Sequence, residues 1–149
     1  MCEIVPPDVY VADAGSGKGL GVFAARDFDK DETVEVAPML IFRVDECCFP
    51  SNLADRFFTW ATTGIAGKEK WGAITWGYGC LYNHDEPANM RHPIDWKHRA
   101  ITFQTVKPVK KGEELTINYN SPDRGPTSDR DTYFTSRKIK PVLSSKKQA

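Results

Sequence analysis

Tyr119, the pair Asn83-His84 and the glycine turn at Lys18-Gly19-Leu20-Gly21 are the residues of this chain best suited to chemistry on a polar ligand. A tyrosine hydroxyl both donates and accepts a hydrogen bond, so it can steer or polarise a reacting group. An asparagine amide recognises the polar end of a ligand in the same two-way manner. Glycines free the backbone to approach a ligand closely. Each also has an ordinary structural reading. A tyrosine that closes a strand usually packs, an Asn-His pair commonly bonds nearby backbone, and a Gly-x-Gly usually marks a turn. The glycine turn is not a dinucleotide fingerprint, because a third glycine and a following helix are missing. His84, His92 and His98 stand eight and six residues apart, which fits no standard metal motif. No metal site is expected. Trp60, Trp71, Trp76 and Trp96 could form an aromatic cage, but core and groove positions explain them more simply.

The elements that must position these residues are short strands. Val9 to Ala12 and Gly21 to Ala25 flank the glycine-rich turn Asp13–Gly19. Thr33 to Val36 and Met39 to Val44 follow, with Pro38 as a bend or an edge. Ser51 is an N-cap candidate, and Leu53, Phe57, Phe58 and Ala61 recur at helical spacing, which predicts a helix over Asn52 to Thr62. Trp71 to Trp76 returns to strand. Arg99 to Val106 alternates, with Ala100, Thr102 and Gln104 on one face and Ile101, Phe103 and Thr105 on the other. Leu115 to Tyr119 is a return strand after the turn at Pro108–Gly112. Beyond Ser121-Pro122 the chain is polar apart from Tyr133-Phe134 and ends in a basic tail.

With 149 residues the chain has the length of one domain, and an apolar fraction of 40% suffices for a core. No run approaches the ~20 apolar residues of a membrane helix. The opening Met1-Cys2-Glu3-Ile4-Val5 has neither a basic nor an apolar leader region, so no secretion signal is expected and a cytoplasmic or nuclear location is the default. Cys2, Cys47, Cys48 and Cys80 form no Cys-x-x-Cys pair and are expected to be reduced thiols. Net charge is zero, yet residues 136–149 carry five basic residues and no acid, which leaves residues 1–135 with 15 basic against 20 acidic side chains. An acidic body suits a basic peptide better than a nucleic acid.

Three signatures in order carry a family resemblance. They are Gly19-Leu20-Gly21-Val22-Phe23-Ala24, then Gly77-Tyr78-Gly79-Cys80-Leu81-Tyr82-Asn83-His84 with Asn89 following, and Gly112-Glu113-Glu114-Leu115-Thr116-Ile117-Asn118-Tyr119. From about Val9 to Tyr119 the chain resembles the SET domain of protein lysine methyltransferases, and its size is similar to the minimal viral and bacterial members. Asp85 replaces the usual serine of the Asn-His-Ser motif, and Pro87 falls one place early; the spacing from Asn83 to Asn89 is kept.

The resemblance implies a mainly β, β-clip-like arrangement of short sheets with one inserted helix and a knot-like C-terminal crossing. The domain would span residues 9–121, with an insert at about 45–75 and a C-terminal segment at 122–149. It implies S-adenosyl-L-methionine as cofactor, held by Lys18, Gly19, Leu20, Asn83 and His84. Tyr119 would be the catalytic residue, and Ile117, Tyr78 and Tyr82 would line the substrate lysine channel. In the family the residue two before the tyrosine often gates product methylation. Ile117, smaller than tyrosine or phenylalanine there, implies di- or trimethylation. The implied partner is a basic protein or peptide, a histone being one candidate, with no direct nucleic acid, no membrane, and a homodimer left open. A catalytically silent peptide-binding domain is the rival reading.

Overall fold

The computed structural model describes residues 6–15, 17–46, 48–50, 53, 56–60 and 71–119. Its strands are β1 (Val9–Asp13), β2 (Leu20–Ala24), β3 (Thr33–Arg43), β4 (Phe58–Trp60) and β5 (Trp71–Thr75). They continue with β6 (Asn83–His84), β7 (Met90–Arg91), β8 (Ile94–Asp95), β9 (Ala100–Thr105) and β10 (Glu114–Ile117). Short 3-10 turns occupy Val44–Glu46 and Gly79–Leu81. One sheet has the order β1-β2-β10-β6, and the other β4-β5-β3-β9-β7 with β8 also paired to β9. The mainly β expectation holds, as arrays of short, mostly antiparallel strands.

β1 and β2 form a hairpin with Val11 opposite Val22. Its turn is closed by Ala14 N–H on the Gly19 carbonyl at 2.8 Å and by Gly15 N–H on Asp13 Oδ1 at 2.8 Å. Gly15, Gly17 and Gly19 all have φ between 70° and 77°, the left-handed region that only glycine enters cheaply. β10 then joins the other edge of β2 antiparallel and takes β6 parallel on its far side, with Thr116 opposite Asn83 and Ile117 opposite His84.

β9 pairs with β3, β7 and β8 in the second sheet. Its alternation is realised over residues 101–105, where Ile101, Phe103 and Thr105 are fully buried and Thr102 and Gln104 half-buried, while Ala100, expected on the outer face, is buried as well. The core gathers Val22, Phe28, Tyr82, Met90, Leu115 and Ile117 around these residues, with the Tyr82 and Phe103 rings 4.6 Å apart.

Two expectations are corrected. Thr33 to Arg43 is one strand rather than two, and it runs straight through Pro38. β9 pairs with β3 as far as Pro38 and β5 pairs from Met39 onward, so the missing N–H falls where the strand changes partner. Of the helix expected over residues 52–62, Leu53 is helical, with its N–H on the Pro50 carbonyl and its own carbonyl accepting from Arg56. Phe58–Trp60, however, are a strand paired to β5. Pairing with a neighbouring strand there outweighs the helical spacing. The rest of that stretch, and the segment 122–149 with Tyr133-Phe134, lie outside the described residues. Among the described residues no helix is long and apolar enough to cross a membrane.

Phe103 is fully buried and meets Tyr82, Phe58 and His92. Phe103→Ala should therefore cost about 3–5 kcal/mol of unfolding free energy in urea melts, the range for deleting a packed aromatic.

Candidate active site

β10 is the rail on which the site is mounted, and buried amides hold it in place. Asn89, 7% exposed, donates Nδ2 to the Glu114 carbonyl at 2.7 Å and accepts the Thr116 N–H at 2.8 Å. Its side chain thus serves as a stretch of neighbouring strand, meeting backbone groups that burial would otherwise leave unpaired. Asn118, fully buried, donates to Glu86 Oε2 at 2.7 Å, and the Ile117 carbonyl accepts Asp85 N–H at 3.1 Å. The loop after His84 is thereby tied to the end of β10.

On one side of this rail lies the glycine turn. Asn83 Nδ2 donates to the Leu20 carbonyl at 3.1 Å and to Glu114 Oε1 at 2.8 Å, while Lys18 Nζ lies 3.7 Å from Glu114 Oε2. Glu114 therefore gathers Lys18 and Asn83 from opposite halves of the chain. A Cβ at Gly21 would come within 2.6 Å of Glu114 Oε1 and 3.0 Å of Asn83 Nδ2. A larger residue there would have to displace the Glu114 carboxylate from this cluster.

On the other side lies the tyrosine end. Tyr119 N–H donates to His84 Nδ1 at 3.1 Å, so that nitrogen is an acceptor and the imidazole proton belongs on Nε2. The two rings are 5.3 Å apart. Tyr119 donates its hydroxyl proton to the Tyr82 carbonyl at 2.9 Å. Tyr82 in turn donates its own hydroxyl to Glu35 Oε2 at 2.9 Å, and Tyr78 N–H takes Glu35 Oε1 at 2.9 Å.

The structure thus brings Lys18, Gly19, Leu20, Asn83, His84 and Tyr119 to one end of the strands of the first sheet. Ile117 and Tyr82, each 1% exposed, pack in the core beside them, and Tyr78 is half-buried against it. The other histidines lie elsewhere: His92 is buried against Phe58 and Phe103, and His98 is exposed with Nδ1 2.6 Å from Asp95. Among the described residues no group of three His, Cys, Asp or Glu side chains could hold a metal ion.

The family model of the SET domain matches residues 19–120, more than half of the chain. The chain belongs to the SET domain family. Over 105 residues it is 29% identical to the histone-lysine N-methyltransferase, H3 lysine-37 specific, of Schizosaccharomyces pombe, covering 68% of this chain and 67% of that one. Its fold is similar to a Plasmodium falciparum protein provisionally described as a histone methyltransferase, with a TM-score of 0.60 and 24% identity over 77% of this chain and 95% of that one. It is also similar to CpSET8 of Cryptosporidium, with a TM-score of 0.57 and 17% identity over 78% of this chain and 59% of that one.

Within this SET domain, Glu35 and Glu114 are the site residues that motif reading missed. Glu114 stood inside the closing signature, but its role in joining Lys18 to Asn83 is visible only once β10 is placed. Glu35 had one signal, an acid between two valines in a strand. Burial raises the Glu35 carboxyl above its ordinary value of 4.5, against the lowering effect of its bonds from Tyr78 and Tyr82. Burial and the adjacent Glu35 carboxylate both push the Tyr82 phenol upward, so it remains a protonated donor.

The sign of the linkage follows. The folded protein holds the Glu35 proton more tightly than the unfolded chain, so the contribution is full below the unfolded value and is lost as pH rises through the folded one. Urea melts from about pH 4 to about pH 8 should shift the stability difference steadily in favour of Glu35→Gln over wild type. A difference that stays flat across that range would show a carboxyl titrating as it does in water.

Proposed function

We propose that this SET domain transfers methyl groups from S-adenosyl-L-methionine to a lysine side chain of a basic protein, with a histone tail as the substrate class. The observation that carries the reading is the arrangement on β10, where a polar cluster and an anchored tyrosine hydroxyl flank one two-residue strand pairing. The relative from Schizosaccharomyces pombe, a histone-lysine N-methyltransferase, supports the substrate class.

The donor set suits the proposed cofactor. Its methionine end is a zwitterion, and Lys18, Asn83 and Glu114 offer a cation, an amide and a carboxylate within one cluster of an ion pair and a hydrogen bond. Lys18, Gly19, Leu20, Asn83 and His84 would hold it. When bound, it supplies a methyl group already activated by a sulfonium.

The protein's task is then to present a neutral amine in line. Lysine has an unperturbed pKa of about 10.4, and a dry aromatic surround disfavours its ammonium form. Tyr119 gives its only hydroxyl proton to the Tyr82 carbonyl, so its oxygen faces a substrate as an acceptor. It would take an N–H of the lysine amine and turn the nitrogen lone pair toward the methyl, a contribution of orientation rather than proton abstraction. Ile117, buried in the core and without a hydroxyl to hold a water, would by the family resemblance let a methylated amine turn and react again.

Incubation with labelled S-adenosyl-L-methionine and histone peptides should give label on lysine; binding of both without transfer would support a silent peptide-binding domain instead. Tyr119→Phe keeps the ring and should lower kcat by roughly 10²-fold, as for loss of an oriented polar group. Asn83→Ala should weaken cofactor binding by about 1.5–3 kcal/mol in calorimetry. Unchanged affinity would remove Asn83 from the site.

A further inference from the structure

Glu35 is a carboxylate in a place where an apolar side chain would cost less. It is 8% exposed, and among the described residues no cation pairs with it. Alternation along the strand brings it inward, on the buried face it shares with Ala37 and Met39. The β3–β9 register shifts between Thr33 and Glu35, so that Val34 and Glu35 are both buried although adjacent. Removing a carboxylate from water without a counter-charge is unfavourable even when its oxygens are bonded. Its two bonds both run to the segment that leads into the site.

That segment is moulded over the carboxylate. Gly77 has φ +84, and a Cβ there would collide with Glu35 Oε1. Gly79 has no room for a Cβ beside Thr75 and Phe103. Tyr78 N–H and the Tyr82 hydroxyl each take one Glu35 oxygen at 2.9 Å, so the carboxylate spans both ends of the 3-10 turn. Tyr82 is then fixed by its hydroxyl, by its ring against Phe103, and by its carbonyl, which accepts the Tyr119 hydroxyl.

We infer that Glu35 is a positioning residue for methyl transfer, setting the Tyr119 hydroxyl by holding Tyr82 through its side chain. This rests on the reading of Tyr119 as catalytic. Glu35 lies two hydrogen bonds from the Tyr119 oxygen, and Tyr82 is the shared link. The cofactor cluster is pinned separately. Asn83 is held by Leu20, by Glu114 and by pairing with Thr116, none of which involves Glu35. A loss at Glu35 should therefore fall on kcat and spare cofactor affinity.

The test uses the full chain with labelled S-adenosyl-L-methionine and a methyl-accepting histone peptide. Glu35→Gln keeps the shape but leaves only one acceptor oxygen. Tyr82→Phe keeps the ring on Phe103 and removes only the hydroxyl, so it covers the case in which the first variant fails to fold. Each should lower kcat by roughly 10-fold while the cofactor Kd and peptide KM stay within about 2-fold, the pattern of misorientation rather than lost binding. In a Tyr119→Phe background neither should lower kcat further, because the hydroxyl they position is already gone. Additive losses in that background would overturn the inference while leaving Tyr119 catalytic, as would a kcat loss matched by a loss of cofactor affinity. If Tyr119→Phe alone leaves turnover intact, the reading of Tyr119 falls, and the positioning role of Glu35 falls with it.

Discussion

The parallel contact of two residues, Thr116 with Asn83 and Ile117 with His84, is the constraint on which the rest of the site depends. β10 is paired on its other edge to β2, which follows directly from the glycine turn. Through these two pairings a single four-residue strand fixes the relative places of Lys18, Asn83, His84 and Tyr119. A parallel pair so short is weak by its backbone bonds alone. Its persistence rests on the side chains around it: Asn89 bonded to the Glu114 carbonyl and the Thr116 N–H along one edge, Asn118 bonded to Glu86, and Leu115 and Ile117 sunk in the core.

Burial and polarity are balanced by local pairing rather than by long-range charge. Asn89, Asn118, Thr116 and Thr105 are all buried polar residues with hydrogen-bond partners, and most of these partners are backbone groups. The formal ion pairs lie mostly at the surface, as between Arg26 and Asp8 or Lys110 and Asp27, where solvent screening leaves them little weight. Burial thus makes Glu35 an outlier among the acids. Asp27 and Glu32 are both held below their ordinary range by donors from neighbouring cations, while Glu35 is pushed above it.

How much of this was legible in the sequence depended on how local the signal was. The glycine turn, the alternation of residues 100–105 and the three ordered signatures are local patterns, and they gave the family, the strands β2, β5 and β9, and the residues now gathered at one end of the strands. β6, β7 and β8 are two residues each, too short for any periodicity to reveal them. Phe58–Trp60 carried helical spacing but found a strand partner in β5, and Pro38 marked a change of partner rather than a break. Glu35 was hidden for a different reason: hydropathy would turn Val34 and Val36 inward, whereas Val36 is 58% exposed and Glu35 shares the buried face with Ala37 and Met39.

The hydrogen bonds that define the site span great lengths of chain: Asn83 reaches Leu20 across 63 residues, and Tyr119 reaches His84 across 35. Closing such loops costs entropy before any contact rewards it, so no fragment ending before β10 holds a partial site. A ribosome-bound chain lacking β10 has the glycine turn and the Asn-His pair but nothing to set one beside the other. Competence to react should therefore arrive in a single step, with the seating of the closing strand, and depart in the same step when that strand is pulled away.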